Sequence, residues 1–175
     1  EYTGQCMEEK DSVGGVVECI VDGMPAGVGE PCFEKLDANL AKAVLSIGAV
    51  KGFEIGSGFA AAKARGKQNN DPFVNHGNGI EKESNHAGGT LGGISDGSRI
   101  VIRAAVKPTS SIAAQQHTVN QKGENIEISV KGRHDPVIVP RAVVVVEAMT
   151  ALTIVDALME GMSARMDFIE KIWGR

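Results

Sequence analysis

The spacing of hydrophobic positions changes several times along the chain, and each change marks an element. Between Val13 and Val21 nearly every position is apolar: Val17, Cys19 and Val21 alternate with Val16, Glu18 and Ile20. That predicts a strand covered on both faces. A turn-rich connector runs from Asp22 to Pro31. Phe33, Leu36, Leu40, Ala43 or Val44, and Ile47 then recur at helical spacing, predicting a helix from about Phe33 to Ser46 with Glu34 and Asp37 near its positive end. The pattern turns extended again from about Ala49 to Ile55, and Gly56-Ser57-Gly58 ends that run. Phe59 to Ala64 predicts a short helix closing at Gly66.

From about residue 67 to residue 97 no period survives. Asparagines (69, 70, 75, 78, 85) and glycines (77, 79, 88, 89, 92, 93, 97) dominate, and the stretch predicts a long irregular loop. Ser98 to Val106 alternates as a strand. Thr118–Asn120 and Asn125–Val130 predict a hairpin around Gln121-Lys122-Gly123-Glu124. After Pro140 a long helix is predicted from Arg141 or Ala142, with Val145, Ala148, Met149, Leu152, Val155 or Asp156, and Met159 as its stripe. Phe168 to Trp173 predicts a helical tail. No repeat or linker divides the 175 residues, so residues 1–175 are expected to form one portion of a single α+β domain.

Composition narrows the picture. With 42% hydrophobic residues the chain can build a core, and a net charge of −4 argues against nucleic-acid or anionic-membrane partners. The longest uninterrupted apolar run, Ala142 to Val146, falls far below the roughly 18 residues that span a bilayer. Three cysteines (Cys6, Cys19, Cys32) without C-x-x-C spacing predict reduced thiols in a cytoplasmic protein. The opening Glu1-Tyr2-Thr3-Gly4 reads as the interior of a longer protein.

Three stretches carry chemistry. Lys107-Pro108-Thr109-Ser110-Ser111 sets a cation and three hydroxyls directly after a strand, a composition able to hold a phosphate without a Walker A loop. Read on its own it fits a Ser/Thr-rich turn better than a phosphate site. Asn85-His86-Ala87-Gly88-Gly89-Thr90-Leu91-Gly92-Gly93 is glycine-rich but lacks dinucleotide-loop spacing. Lys131-Gly132-Arg133-His134-Asp135-Pro136 groups a guanidinium, an imidazole and a carboxylate at the junction of a strand and a helix. By spacing it could be a charged turn; as a site, Arg133 suits an anion and His134 or Asp135 a proton. His76, His86, His117 and His134 show no metal-ligand spacing, so no metal is expected.

Taken together these stretches resemble the chorismate synthase family. The matching segments occur in order: Asp11 to Glu18 with Gly14-Gly15; Pro25 to Pro31; Ser46 to Gly56; Arg65-Gly66 and Asn69-Asn70-Asp71; Asn85 to Ser95; Lys107 to Ile112; and Lys131 to Pro136 with Arg141-Ala142. The resemblance implies a partial β-α-β sandwich corresponding to the C-terminal half of that enzyme. It implies the conversion of 5-enolpyruvylshikimate 3-phosphate to chorismate by anti 1,4-elimination of phosphate, on the shikimate route to aromatic amino acids. It also implies reduced FMN as cofactor, NADPH as a candidate reductant, and a homotetramer when full length. By matched motif, Gly48, Ala49, Gly92, Lys107, Pro108, Thr109, Ser110, Ser111 and Arg133 are the implied FMN contacts, and Asp135 the implied catalytic residue. Gly48 departs from the asparagine or proline of many members, which leaves a backbone contact there. The family's catalytic histidines belong to an N-terminal half that these 175 residues do not match, so the isolated chain is expected to be inactive. A non-catalytic core fragment and a flavin-dependent oxidoreductase are the alternative readings.

Overall fold

The computed structural model describes residues 2–75, 77, 79–132 and 135–174. A short helix α1 (Tyr2–Glu8), unforeseen in the sequence, precedes strand β1 (Gly15–Val21). Helix α2 (Leu36–Leu45) and strand β2 (Val50–Ile55) follow. A 3-10 helix (Gly58–Lys63) and the single turn α3 (Gly66–Asn69) lead into β3 (Phe73–Asn75), β4 (Ile80–Lys82), β5 (Thr90–Leu91) and β6 (Ile94–Ser95). Strand β7 (Ile100–Val106), the hairpin β8 (Gln116–Val119) and β9 (Asn125–Ile128), and helices α4 (Val139–Ser163) and α5 (Met166–Trp173) complete the chain.

The main sheet has the order β1-β7-β2 and is antiparallel throughout. β7 is central, pairing with both β1 and β2; its Ile100, Ile102, Ala104 and Val106 are all buried, while Val101, Arg103 and Ala105 face the other way. The buried row meets Leu36, Leu40 and Val44, one stripe of α2 at four-residue spacing, and Val146, Ile154 and Ala157 of α4. Gly15 of β1 and Val50 of β2 both lie opposite Val106, and Val21 lies opposite Ile100. The loops after β7 and before β1 and β2 therefore gather at one end of the sheet.

Four expectations are revised. β1 is covered on one face only: Val16 and Ile20 are exposed, because both α2 and α4 lie on the opposite side of the sheet. Phe33 does not start α2 but takes a left-handed turn (φ 57°) in solvent, and the helix begins at Leu36, whose N–H donates to the Gly93 carbonyl at 2.8 Å. Residues 67–97 are not structureless, since they fold into two antiparallel ribbons, β3-β4 and β5-β6. In α4 the inward stripe is Val146, Thr150, Ile154 and Ala157, whereas Val145, Leu152, Val155 and Met159 point outward. Because α4 is apolar on nearly every face, periodicity could not select the buried side; Thr150 is accommodated there because its Oγ1 donates to the Val146 carbonyl at 2.7 Å.

α4 also corrects the membrane criterion. Measured by an uninterrupted run, no segment approaches a spanning length. The 25-residue helix is nevertheless long and apolar enough to cross a bilayer by length and composition, because only Glu147 and Asp156 interrupt its middle.

Candidate functional site

Four of the segments singled out in the sequence meet at the sheet end where β7 runs out. The Lys107 N–H donates to the Ala49 carbonyl at 2.9 Å, tying the Lys107–Ser111 loop to the start of β2. Ala49 is left-handed (φ 70°), a conformation costing a non-glycine residue about 1–2 kcal/mol. Such local strain is characteristic of functional turns. On the other side a Cβ on Gly14 would stand 2.4 Å from the Val106 carbonyl oxygen and 3.1 Å from the Pro108 ring, so glycine is required for the loop to lie on β1. The Ser12 hydroxyl donates to the Thr109 carbonyl at 2.6 Å, and the Val13 N–H donates to the Pro136 carbonyl at 2.8 Å. Residues 12–14 thereby stitch Lys107–Thr109 to Asp135-Pro136-Val137.

The loop has the composition and the open valences of an anion site. Lys107 is exposed, and no carboxylate among the described residues pairs with it. Ser110 and Ser111 are also exposed. The Thr109 hydroxyl is buried without a hydrogen-bond partner among the described residues. A buried hydroxyl in that state costs about 1–3 kcal/mol, and an acceptor arriving at the loop would satisfy it. Asp135 is gripped by Arg141 through both oxygens, at 2.6 Å and 3.3 Å. Its carboxylate borders a cavity of about 210 Å³ shared with Lys10, Ile112 and Pro136. The Asp135–Arg141 pairing went unread because six residues separate the partners across the Pro136–Val139 bend. Arg133 and His134 lie outside the described residues.

Gly48 needs no special geometry, since a Cβ there would meet nothing within 4 Å. Gly92 sits elsewhere. It turns the β5-β6 ribbon at φ 62°, and the neighbouring Gly93 carbonyl receives the Leu36 N–H at the start of α2. Ala49 follows the end of that helix, and ten residues of α-helix span about 15 Å. The chain therefore holds Gly92 at the opposite end of α2 from the Lys107 loop.

A polar cluster that sequence reasoning missed fixes the Gly92 segment. Lys82, almost fully buried, contacts the equally buried Asp96 and lies 3.7 Å from Asp71. Asp71 Oδ1 accepts from the His86 N–H (2.8 Å), His86 Nδ1 (2.8 Å) and the Ser84 hydroxyl (2.7 Å), while Oδ2 accepts from the Ala87 N–H at 2.9 Å. Burial alone would raise the Asp71 carboxyl. The Ala87 and His86 amides, the Ser84 hydroxyl and the His86 ring outweigh it and hold the group well below the ordinary carboxylate range. Burial likewise opposes ionisation of Asp96, and Lys82 with Ser98 overrides it, lowering that group as well. The signal lay in charged residues set between glycines and asparagines, which propensity reads only as loop. Among the described residues no three His, Cys, Asp or Glu side chains are arranged to hold a metal.

Residues 1–159 match the family model described as chorismate synthase. The chorismate synthase of Agathobacter rectalis is 65% identical over 169 residues, 97% of this chain and 46% of that protein. The chorismate synthase of Archaeoglobus fulgidus is 61% identical over 159 residues, 90% of this chain and 44% of that protein. A crystal structure of chorismate synthase superposes with a TM-score of 0.75 at 36% identity, covering 92% of this chain and 42% of the solved one. The α+β fold described above is thus part of that architecture, and the chain spans just under half the length of the curated relatives it matches.

Proposed function

Because the chain belongs to the chorismate synthase family, we propose that it supplies the flavin-phosphate wall of an enzyme that converts 5-enolpyruvylshikimate 3-phosphate to chorismate and phosphate. The observation that carries this reading is the Lys107–Ser111 loop beside the left-handed Ala49, where among the described residues the cation has no carboxylate partner and the buried Thr109 hydroxyl no hydrogen-bond partner. These groups suit FMN: Lys107 as point charge, and the hydroxyls of Thr109, Ser110 and Ser111 as donors to phosphate oxygens. Gly48-Ala49 and Pro108 would shape the backbone beside it, Arg133 would add a second cation, and Gly92 would bound the site from the far end of α2. Reduced FMN, when bound, supplies electron density to the allylic system that loses phosphate.

The chain's own residues then hold charge and protons. Arg133, if it also faces the substrate, would stabilise the negative charge that grows on departing phosphate. Asp135, held by Arg141, would exchange a proton with the bound flavin. The same reading includes NADPH as flavin reductant, a cytoplasmic location and a homotetrameric full-length enzyme. The isolated chain would carry no turnover, since it contains only part of the catalytic set.

Anaerobic titration of FMN, followed by flavin fluorescence, tests this in the chain joined to the remaining part of the Agathobacter rectalis enzyme. Lys107→Ala should weaken FMN binding by about tenfold or more, through loss of a charge-assisted contact. Unchanged affinity in that variant, or a folded full-length protein that forms no chorismate with reduced FMN, would refute the assignment.

A further inference from the structure

We propose that the cavity beside β2, walled by the 3-10 helix Gly58–Lys63 and by the Asp71–His86 pair, binds a small, neutral aromatic molecule that carries an N–H donor. Ile55 lines this cavity and ends the strand that Ala49 precedes, and six residues of strand span about 20 Å. The proposal does not rest on the flavin-phosphate loop, so either can fail alone.

The cavity measures about 450 Å³, within the range of small-molecule sites. Its apolar walls come from Phe53, Ile55, Phe59 and Ala62. Two left-handed glycines let these walls close. A Cβ on Gly56 (φ 55°) would stand 2.5 Å from the Gly88 nitrogen and closer still to the His86 carbonyl oxygen, and one on Gly58 (φ 51°) 2.6 Å from the Glu54 side chain. The Ser57 N–H donates to the same His86 carbonyl at 2.8 Å. Glu54 braces the rim: its Oε1 accepts from the Phe59 N–H at 2.9 Å, and its Oε2 lies 3.0 Å from Arg103 Nη2. Phe59 is thereby fixed at the mouth with its ring 77% exposed, a preformed surface for a planar molecule.

The polar groups decide what the occupant must carry. His86 Nδ1 lies 2.8 Å from Asp71 Oδ1, and that carboxylate accepts hydrogen bonds from every other group it meets. Nδ1 is therefore the donor of the pair, and the neutral ring keeps its lone pair on Nε2. The Asp71 side chain is 5% exposed and the His86 side chain 38%, so the open edge of the ring is the one bearing Nε2. Asn69 lines the same cavity, and its Oδ1 is buried with no hydrogen-bond partner among the described residues. Both groups call for a donor. Among the described residues Glu54 is the one charged side chain lining the cavity, and Arg103 neutralises it, so a charged molecule would find no counter-charge. A peptide strand added along the free edge of β2 would satisfy backbone groups there and leave Asn69 Oδ1 orphaned.

Indole is the probe, and 1-methylindole, the same ring without the donor, its control. In the chain joined to the remaining part of the Agathobacter rectalis enzyme, ligand-observed NMR should give indole a dissociation constant of about 1 mM or below. The value for 1-methylindole should be about tenfold higher, as the loss of one hydrogen bond requires. His86→Phe removes Nε2 and keeps a ring; Asn69→Leu removes the amide at similar volume. Each should weaken indole about tenfold and leave 1-methylindole within about twofold, which separates a lost hydrogen bond from a disturbed wall. Ala62→Trp, at an exposed position, should fill the cavity and abolish binding of both. No binding of indole by the joined protein, equal affinity for the two ligands, or indole binding indifferent to both His86→Phe and Asn69→Leu would each overturn the proposal. So would binding by the isolated chain that disappears on joining, because the rest of the enzyme would then be the occupant. Each readout is equilibrium binding, without flavin or turnover.

Discussion

Replacing Asp71 by asparagine should loosen the Gly92 segment and leave the main sheet standing. In the native chain the two carboxylate oxygens receive four hydrogen bonds, from the His86 amide and ring, Ser84 and the Ala87 amide, with Lys82 at 3.7 Å. The asparagine amide oxygen can keep the acceptor role on one side. Its NH2 group cannot accept from Ala87, which leaves an amide unsatisfied at about 1–3 kcal/mol. The remaining bonds lose their charge assistance, worth roughly another 1 kcal/mol, while Lys82 retains Asp96. The sum is about 3 kcal/mol, read as a fall in the hydrogen-exchange protection of the His86 and Ala87 amides. The pH dependence follows from the lowered carboxyl. Above the unfolded value near 3.9 the contribution is fully present, and it is lost as pH falls through the folded value. Wild type and variant should therefore differ at pH 6 and converge under strongly acid conditions. A loss under 1 kcal/mol at pH 6, or a gap that widens with acid, would refute the account.

Other expectations concern the loop end of the sheet. Gly14→Ala forces a Cβ to 2.4 Å from the Val106 carbonyl and should lower the urea midpoint by an amount equivalent to at least 2 kcal/mol. Ala49→Gly should be near neutral in thermal unfolding, since relief at φ 70° offsets glycine's added chain entropy, whereas Ala49→Val should destabilise the turn. In the joined full-length protein, Asp135→Asn should lower the rate of chorismate formation with little change in FMN affinity; equal loss of both would assign Asp135 to binding.

Much of this architecture is readable in the sequence because alternation and helical spacing are enforced by burial. β7 alternates strictly enough to be read as a strand, and the spacing of Leu36 and Leu40 marks the inward face of α2, with burial choosing Val44 over Ala43. The reading fails where burial does not discriminate. α4 is apolar almost all round, so its pattern could not choose between the stripe at Val146 and the stripe at Leu152. Val16 and Ile20 promise a covered face that this chain alone does not cover. The 67–97 segment hides its order because it is built from ion pairs and left-handed glycines, which leave no periodic trace. At the site, Lys107–Ser111 was legible as chemistry from its composition, whereas the orphaned Thr109 hydroxyl and the Arg141 grip on Asp135 exist only in three dimensions.

The central position of β7 also dictates a timetable. Val21 pairs with Ile100 and Val50 with Val106, so neither outer strand can find its partner within its own neighbourhood. During synthesis β1 and β2 stay without their sheet partner until β7 leaves the ribosome. Closing loops of that length makes such contacts slow to form. Two unpaired strands in the waiting interval, one of them valine-rich β1, are prone to pair with other chains. Substitutions in β7 should thus be felt first as yield, through aggregation of nascent chains, and only afterwards as thermal stability of the molecules that escape.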